Sequence, residues 1–123
     1  MHQVIAEEID EYAHVNNTVY LQWLDRIAWA HSAALGMPLE RCLELRCGMA
    51  VRHTRVDYLD AALLGDTLLL ATWIVACDGR LRCARRFDIL LRIMILAGSS
   101  TVPLYTSSVV RTEGRSTALC VFA

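Results

Sequence analysis

The sequence NNTVYLQWLDRIAWAHSAALG, residues 16–36, decides the fold of this chain. Apolar side chains recur in it every three or four residues, a spacing that places them on one face of an α-helix. That face comprises Val19, Trp23, Ile27, Ala30 and Ala34, and it is widened by Leu21, Leu24, Ala28 and Leu35. Asn16 or Asn17 can begin the helix, and Gly36 can end it, with Pro38 just beyond. The pattern predicts a helix of about five turns that is buried on most sides.

Strands are predicted on both sides of this helix. A short first strand is expected over Val4 to Ile9, and a second, shorter helix is expected over Leu39 to Cys47. The later strand-like runs are 49–58, 67–76, 81–93, 102–110 and 116–122. Their separators are turn-like: Gly65-Asp66, Asp78-Gly79, Gly98-Ser99-Ser100 and Glu113-Gly114. Successive antiparallel hairpins are the simplest topology, so the sequence predicts an α+β fold with about five or six strands.

Polar residues of three kinds lie just before the helix. They are Asp10, His14, Asn16 and Asn17. A carboxylate can attack a carbonyl or activate water, an imidazole can move a proton, and an amide can cap a helix or bind a carbonyl. A helix N-terminus adds unpaired N–H groups that would stabilise an oxyanion. Each residue alone has a structural explanation as a cap, a turn residue or a half-buried imidazole. Their combination in one short window favours a reaction site.

The motif Asp-x-x-x-His-Val-Asn-Asn-x-x-Tyr over residues 10–20, followed by Leu21, Trp23 and Asp25, resembles a known enzyme family. It is similar to the hot-dog-fold acyl thioesterases of the 4-hydroxybenzoyl-CoA thioesterase type and to the plant acyl-carrier-protein thioesterases. A second landmark resembles the same family: Val56-Asp57-Tyr58-Leu59, then Ala61-Ala62, then Gly65-Asp66. The resemblance implies one hot-dog domain over residues 1–123, in which a curved antiparallel sheet wraps a long central helix. The activity it implies is hydrolysis of an acyl-CoA or acyl-carrier-protein thioester to a free acid and a thiol.

The resemblance also implies roles for individual residues. Asp10 stands where these enzymes keep a catalytic carboxylate, which acts as the nucleophile or as the general base for water. His14 matches the imidazole assigned to catalysis in the plant enzymes, and Asn17 falls where some bacterial members carry a His. Backbone N–H groups at the helix start, near residues 13–16, would hold the oxyanion. The residues expected to bind substrate are Ala13, Val15, Asn16 and Tyr20.

Two departures from the family pattern leave a second function open. Ala13 occupies a position where Gly is usual, and if that position needs a positive φ, Ala would cost stability or narrow the pocket. The chain from Leu91 onward matches the family poorly. The alternative is a hot-dog protein that binds acyl groups or acts as a scaffold without turnover. No metal or bound cofactor is needed for either function.

Composition limits the other classes of function. Twelve Arg, no Lys and thirteen acidic residues give a net charge of −1, which is not the basic excess of a nucleic-acid-binding protein. The absence of Lys excludes Schiff-base chemistry. The sequence contains no Gly-x-Ser-x-Gly elbow, phosphate loop, dinucleotide fingerprint or His-Glu-x-x-His zinc helix.

Hydrophobic content predicts the oligomeric state of the protein and its location. The 55% hydrophobic composition and the mean hydropathy of +0.36 are high for a small protein, so a homodimer or homotetramer is expected. The longest apolar run, Thr67 to Cys77, is too short to span a membrane. Residues 1–8 do not have the pattern of a signal peptide. A cytoplasmic location is therefore expected.

Cysteine and arginine residues suggest further sites only weakly. The five Cys have no close Cys-x-x-Cys pair, and they are expected to be reduced and mostly buried rather than to bind zinc with a His. Arg80, Arg82, Arg85 and Arg86 cluster near one hairpin. On a strand, Arg80, Arg82 and Arg86 would share one face and could meet the phosphates of coenzyme A. An ordinary solvated strand face explains the same pattern and is the commoner case.

Overall fold

The computed structural model describes residues 1–79, 82–97, 100–111 and 118–122. Two α-helices are present there, α1 (Asn17–Ala34) and α2 (Leu39–Glu44), and a single 3₁₀ turn covers Ala6–Glu8. The strands in this part of the chain are β1 (His2–Gln3), β2 (Cys47–Val51), β3 (Asp57–Tyr58), β4 (Thr67–Cys77), β5 (Arg82–Ala97), β6 (Ser100–Arg111) and β7 (Ala118–Phe122). The predicted turn Glu113-Gly114 lies outside the described residues, as do Gly98 and Ser99.

Helix α1 has the ends that its sequence predicts. The Asn16 side chain accepts a hydrogen bond from the Thr18 N–H at 2.9 Å, so Asn16 is the N-cap. At the other end Gly36 has a φ of +88°, and the Met37 N–H donates to the Ser32 carbonyl at 2.9 Å. A left-handed Gly with this back-bonded amide is the usual C-terminal stop of a helix.

Only one side of α1 is fully buried. Tyr20, Trp23 and Leu24 face the core, whereas Leu21 is 44% exposed. The prediction that the helix is buried on most sides is therefore wrong for the single chain, because only one face of it is covered by the sheet.

One antiparallel sheet holds all seven strands. Its order is β1-β4-β5-β6-β3, and β7 pairs with both β5 and β2. The hairpins that join β4 to β5 and β5 to β6 confirm the predicted meander. The predicted strand 49–58 is instead divided, because β2 pairs with β7 while β3 pairs with β6. Residues 52–56 must cross between these two partners.

The first predicted strand is also wrong in its bounds. Residues 2–3 pair with β4, but Ala6–Glu8 form the 3₁₀ turn. The turn forms because the Glu8 carboxylate folds back and accepts the Ile5 N–H at 3.0 Å. Helix α2 ends at Glu44 rather than Cys47, because Cys47 is the first residue of β2 and pairs with Phe122.

The core lies between α1 and the sheet. It is built from Val4, Val15, Tyr20, Trp23, Leu24, Ala62, Leu68, Phe87, Ile89, Val109 and Val110. The long helix α1 packs against an antiparallel sheet whose central strands are long. This is the hot-dog arrangement expected from the sequence. Among the described residues no helix is long and apolar enough to cross a membrane.

A disulfide joins Cys77 and Cys83, which face each other across β4 and β5. The expectation of reduced cysteines is therefore wrong for this pair. Cys42 and Cys47 are free thiols, and Cys42 is buried.

Candidate active site

Asp10 and His14 lie at the two ends of a tight loop that leads into α1. Ile9 and Val15 form an isolated antiparallel bridge before and after the loop. The Asp10 N–H donates to the His14 carbonyl at 2.8 Å, and the Ala13 N–H donates to the Asp10 carbonyl at 3.1 Å. Backbone hydrogen bonds therefore hold Asp10 beside the start of the helix.

The two oxygens of the Asp10 carboxylate have different surroundings. Oδ1 accepts the Tyr12 N–H at 2.8 Å and, more weakly, the His14 N–H at 3.3 Å. Oδ2 has no hydrogen-bond partner within the described part of the chain. Asp10 is half-buried, while Tyr12 at the loop tip is 80% exposed. One oxygen is thus positioned by the loop, and the other is left to meet a substrate or a water molecule.

Ala13 has a left-handed backbone, with a φ of +61°. This is the conformation for which Gly is favoured, since a Cβ is crowded against the following carbonyl oxygen there. The departure from the family pattern at this position therefore places strain inside the candidate site.

Replacing Ala13 with Gly is expected to stabilise the protein by up to about 1 kcal/mol, because relief of the left-handed strain exceeds the extra chain entropy of Gly. Urea denaturation monitored by circular dichroism measures this change. Ala33→Gly, in the last turns of α1, is the control and should destabilise instead. A fall in stability for Ala13→Gly would show that the loop stores no strain at this residue.

The backbone amides predicted to form an oxyanion hole are already engaged. Besides the Ala13 and His14 amides, the Val15 N–H donates to the Ala62 carbonyl at 3.0 Å and the Asn16 N–H donates to the Glu8 carbonyl at 2.9 Å. In the single chain these amides therefore have protein acceptors, and their role as an oxyanion hole stays a prediction. Among the first amides of α1, Thr18 and Val19 donate to Asn16. The Asn17 N–H has no partner among the described residues, and Asn17 is exposed.

Among the described residues, the side chains of three remaining predicted site residues have structural contacts in the single chain, and those of two do not. Asn16 caps the helix, and Val15 and Tyr20 are each buried in the core. His14 and the Asn17 side chain are exposed, and neither side chain makes a hydrogen bond to another described residue. Their expected contacts with a substrate stay predictions.

The second sequence landmark packs against the helix start. The Ala62 N–H donates to the Tyr20 hydroxyl at 3.0 Å, and the Tyr58 hydroxyl donates to the Asn17 carbonyl at 3.1 Å. The Tyr20 and Tyr58 rings meet edge to face at 5.5 Å. Burial raises the pKa of both tyrosines, so both hydroxyls keep their protons. The two landmarks therefore form one structural unit at the start of α1.

Glu8 supports this unit and was not identified from the sequence. Its carboxylate accepts hydrogen bonds from the Trp23 indole Nε1 at 2.9 Å, from the Ile5 N–H and from the His2 Nε2 at 2.9 Å. Burial opposes ionisation of Glu8, but the hydrogen bonds outweigh burial and lower its pKa. No local pattern announces such a carboxylate, because its main partner is fifteen residues away.

Replacing Glu8 with Ala is expected to lower the free energy of unfolding by roughly 1–3 kcal/mol, because the indole N–H of the buried Trp23 loses its acceptor. Denaturant unfolding followed by tryptophan fluorescence measures this. Glu7→Ala, next to it and exposed, should change stability little.

The same carboxylate predicts a pH dependence. Because the folded-state pKa of Glu8 is lowered, its stabilisation is complete above the unfolded pKa and is lost as the pH falls through the folded pKa. Between about pH 6 and about pH 3, the wild type should therefore lose more stability than Glu8→Ala. Parallel pH profiles for the two proteins would contradict this role.

A cavity of about 340 Å³ lies beside α1, along the side of the helix that carries Leu21, Asp25 and Ala28. Its walls are formed by α1, α2, β2 and β5 and are mainly apolar, and Arg85 lies among them. Of the arginines in the predicted cluster, Arg85 is buried, Arg82 and Arg86 are exposed, and Arg80 lies outside the described residues. Strand alternation with the buried Phe87 and Ile89 could have singled out Arg85.

No three His, Cys, Asp or Glu side chains in the described part of the chain form a group that could hold a metal ion. His2 hydrogen bonds with Glu8, and His31 hydrogen bonds with Arg85.

Solved structures of low sequence identity share this fold. A 1,4-dihydroxy-2-naphthoyl-CoA thioesterase from Synechocystis matches with a TM-score of 0.76 and 17% identity, over 98% of this chain and 79% of the other. A gentisyl-coenzyme A thioesterase matches with a TM-score of 0.73 and 12% identity, over 99% and 86%. A Staphylococcus aureus protein solved in complex with CoA matches with a TM-score of 0.76 and 15% identity, over 98% and 67%. No curated protein matches the chain.

The family is shown by sequence rather than by these structures. The family model described as the thioesterase-like superfamily matches residues 4–111, which include the whole Asp10 loop, α1 and the second landmark. The chain therefore belongs to the thioesterase-like superfamily and has its hot-dog fold.

Proposed function

We propose that this protein hydrolyses an acyl-CoA thioester to a free acid and coenzyme A, with an acyl-carrier-protein thioester as the equivalent substrate. The observation that carries the proposal is that two groups at the start of α1, Asp10 Oδ2 and the Asn17 N–H, both lack a hydrogen-bond partner among the described residues. Membership of the thioesterase-like superfamily supports the reaction class. The CoA-bound neighbour from Staphylococcus aureus supports coenzyme A as the thiol part of the substrate.

The two groups divide the chemistry of hydrolysis between them. Asp10 Oδ2 either attacks the thioester carbonyl, giving an acyl anhydride that water then cleaves, or removes a proton from the attacking water. In both routes the carbonyl oxygen becomes an oxyanion, and the Asn17 N–H at the positive end of the α1 dipole stabilises it. The C–S bond breaks and coenzyme A leaves as a thiolate. In the general-base route Asp10 returns to it the proton taken from water; in the anhydride route solvent protonates it, and water then cleaves the anhydride and restores the Asp10 carboxylate. His14 and the Asn17 side chain position the substrate or the water.

Pairing with a second copy of the chain would shield the proposed site from water. His14, Ala13 and Asn17 are exposed in the single chain, and water around the reacting atoms weakens electrostatic stabilisation. A second copy of the chain, in a homodimer or homotetramer, would cover the loop and the exposed apolar side of α1. The expected cytoplasmic location fits a CoA substrate.

The function is tested by offering the purified protein short, long and aromatic acyl-CoAs with a thiol-reactive dye. Release of coenzyme A from at least one class is expected, with turnover beyond one equivalent. A blank containing protein alone corrects for Cys42, Cys47 and any other thiol of the chain that reacts with the dye. Absence of release from all three classes would contradict the proposal and favour the alternative, a non-catalytic protein that binds acyl groups or acts as a scaffold.

A further inference from the structure

The cavity beside α1 combines apolar walls with one buried cation. Its 340 Å³ is within the range of roughly 300–1,000 Å³ that small-molecule sites occupy. Arg85 is 8% exposed and lines the cavity. The other polar residues of the lining are Asp25, Ser32 and Thr54.

Arg85 has no anionic partner in the described part of the chain. Its guanidinium hydrogen bonds with the His31 Nδ1 at 2.8 Å, the Ser32 hydroxyl at 3.2 Å and the Thr72 hydroxyl at 3.4 Å. All three acceptors are neutral, because an Nδ1 that accepts a hydrogen bond belongs to an uncharged imidazole. Burial lowers the pKa of Arg85, yet a guanidinium keeps its proton in proteins. Among the described residues, therefore, no carboxylate forms an ion pair with the positive charge of Arg85.

A buried charge without a counter-ion is costly, and replacing it with an apolar residue would ordinarily be neutral or favourable. Such a group is common where it recognises a ligand rather than where it stabilises a fold. An anion entering the cavity would form a charge-assisted hydrogen bond with the guanidinium.

Helix geometry sets the direction of such a ligand. Asn17, Leu21, Asp25, Ala28 and Ser32 follow one another at spacings of three or four, so they lie along one side of α1. Asn17 marks the end with the free amide, and Ser32 marks the end that contacts Arg85, about 22 Å away at 1.5 Å per residue. Asp25 lies between them and would repel an anion near the middle of the cavity. The anionic end of a ligand therefore belongs at Arg85.

We infer that this cavity binds an apolar chain terminated by a carboxylate, with the carboxylate on Arg85. An engineered cavity of about 150 Å³ holds benzene, so this one accommodates roughly a dozen non-hydrogen atoms. Resting on the proposed function, the inference names the substrate class as the thioester of a dicarboxylic acid of about sixteen carbons, long enough to cover the roughly 22 Å from Ser32 to Asn17, with its carboxylate end in the cavity. The same carboxylate chemistry could instead come from a free monocarboxylic acid.

Measurements of hydrolysis and of binding distinguish a dicarboxylic thioester from a free monocarboxylic acid as the ligand. Hydrolysis is compared for a hexadecanedioyl-CoA with a free terminal carboxylate and for its terminal methyl ester, in the wild type, Arg85→Gln and Arg85→Lys. Arg86→Gln is the matched control, because Arg86 is the next residue on β5 and is exposed. Binding of decanoate and of its neutral methyl ester is followed by the fluorescence of Trp29, which lines the cavity.

The wild type is expected to prefer the carboxylated thioester by about tenfold to a hundredfold in kcat/KM. Arg85→Gln should abolish the preference, Arg85→Lys should keep part of it, and Arg86→Gln should keep all of it. Equal rates with both thioesters in the wild type, together with no Arg85-dependent decanoate binding, would overturn the inference while leaving the proposed function standing. If no thioester is cleaved but decanoate binds only when residue 85 is cationic, the proposed function fails and the site binds free acids. A variant that does not fold is recognised by its melting curve, and Arg85→Lys then decides the outcome.

Discussion

Asp10→Asn is expected to fold as the wild type does and to hydrolyse acyl-CoA more slowly by roughly 10²–10⁴-fold. Asn retains the Oδ1 acceptor that binds the Tyr12 and His14 amides, so the loop keeps its shape. The change removes the negative charge and replaces the free Oδ2 with an amide nitrogen, which cannot attack a carbonyl or accept a proton from water. Steady-state release of coenzyme A measures the rate, and circular dichroism checks the fold.

Glu11→Gln is the control for this result, because it removes an exposed carboxylate one residue away and should leave the rate unchanged. Unchanged turnover in Asp10→Asn would remove Asp10 from the mechanism. Equal losses in both variants would point to the charge of the loop rather than to Asp10 itself.

Asn17→Pro is expected to lower kcat by roughly 10²–10³-fold without disrupting α1. Asn17 is the first helical residue, where Pro is well accepted and where its missing N–H breaks no helical hydrogen bond. Asn16 before it has φ −60° and ψ 136°, a conformation that a following Pro allows. The Asn17 carbonyl that accepts the Tyr58 hydroxyl is retained. The variant therefore deletes the proposed oxyanion donor together with the Asn17 carboxamide, and it leaves α1 in place.

Asn17→Ala separates the backbone from the side chain, since it keeps the N–H and loses the carboxamide. A much smaller loss in Asn17→Ala than in Asn17→Pro is expected. Equal losses in the two variants would assign the effect to the side chain, and no loss in Asn17→Pro would place the oxyanion elsewhere.

Features that repeat along the chain could be predicted from the sequence. Helix α1 and the hairpins around β5 follow from apolar periodicity, from the Asn16 cap and from Gly36, all of which act over a few residues. The bounds predicted for the first strand were wrong because the Glu8 carboxylate hydrogen bonds with the side chains of Trp23 and His2. No local pattern in the sequence indicates that tertiary contact. The division of residues 49–58 follows from a choice of pairing partners, which strand propensity does not determine.

The candidate site also has features that the sequence predicts and features that it does not. Residue types near Asp10 identified the region, and the structure brings both sequence landmarks together at the start of α1. Which amide is free could not be predicted, because it depends on the acceptors at Glu8, Asp10 and Ala62. The positive φ of Ala13 was expected only through the family pattern.

The attachment of the Asp10 loop has a consequence for how its specificity can evolve. Val15, at the end of the loop, is buried and hydrogen bonded to the buried Ala62, whereas Glu11 and Tyr12 at its tip are exposed. Substitutions at the tip cost little stability, because surface positions away from packing contacts tolerate change. New side chains at residues 11 and 12 can therefore change which molecules approach the carboxylate while its position stays the same, and mutational drift there would diversify substrates before it endangered the reaction.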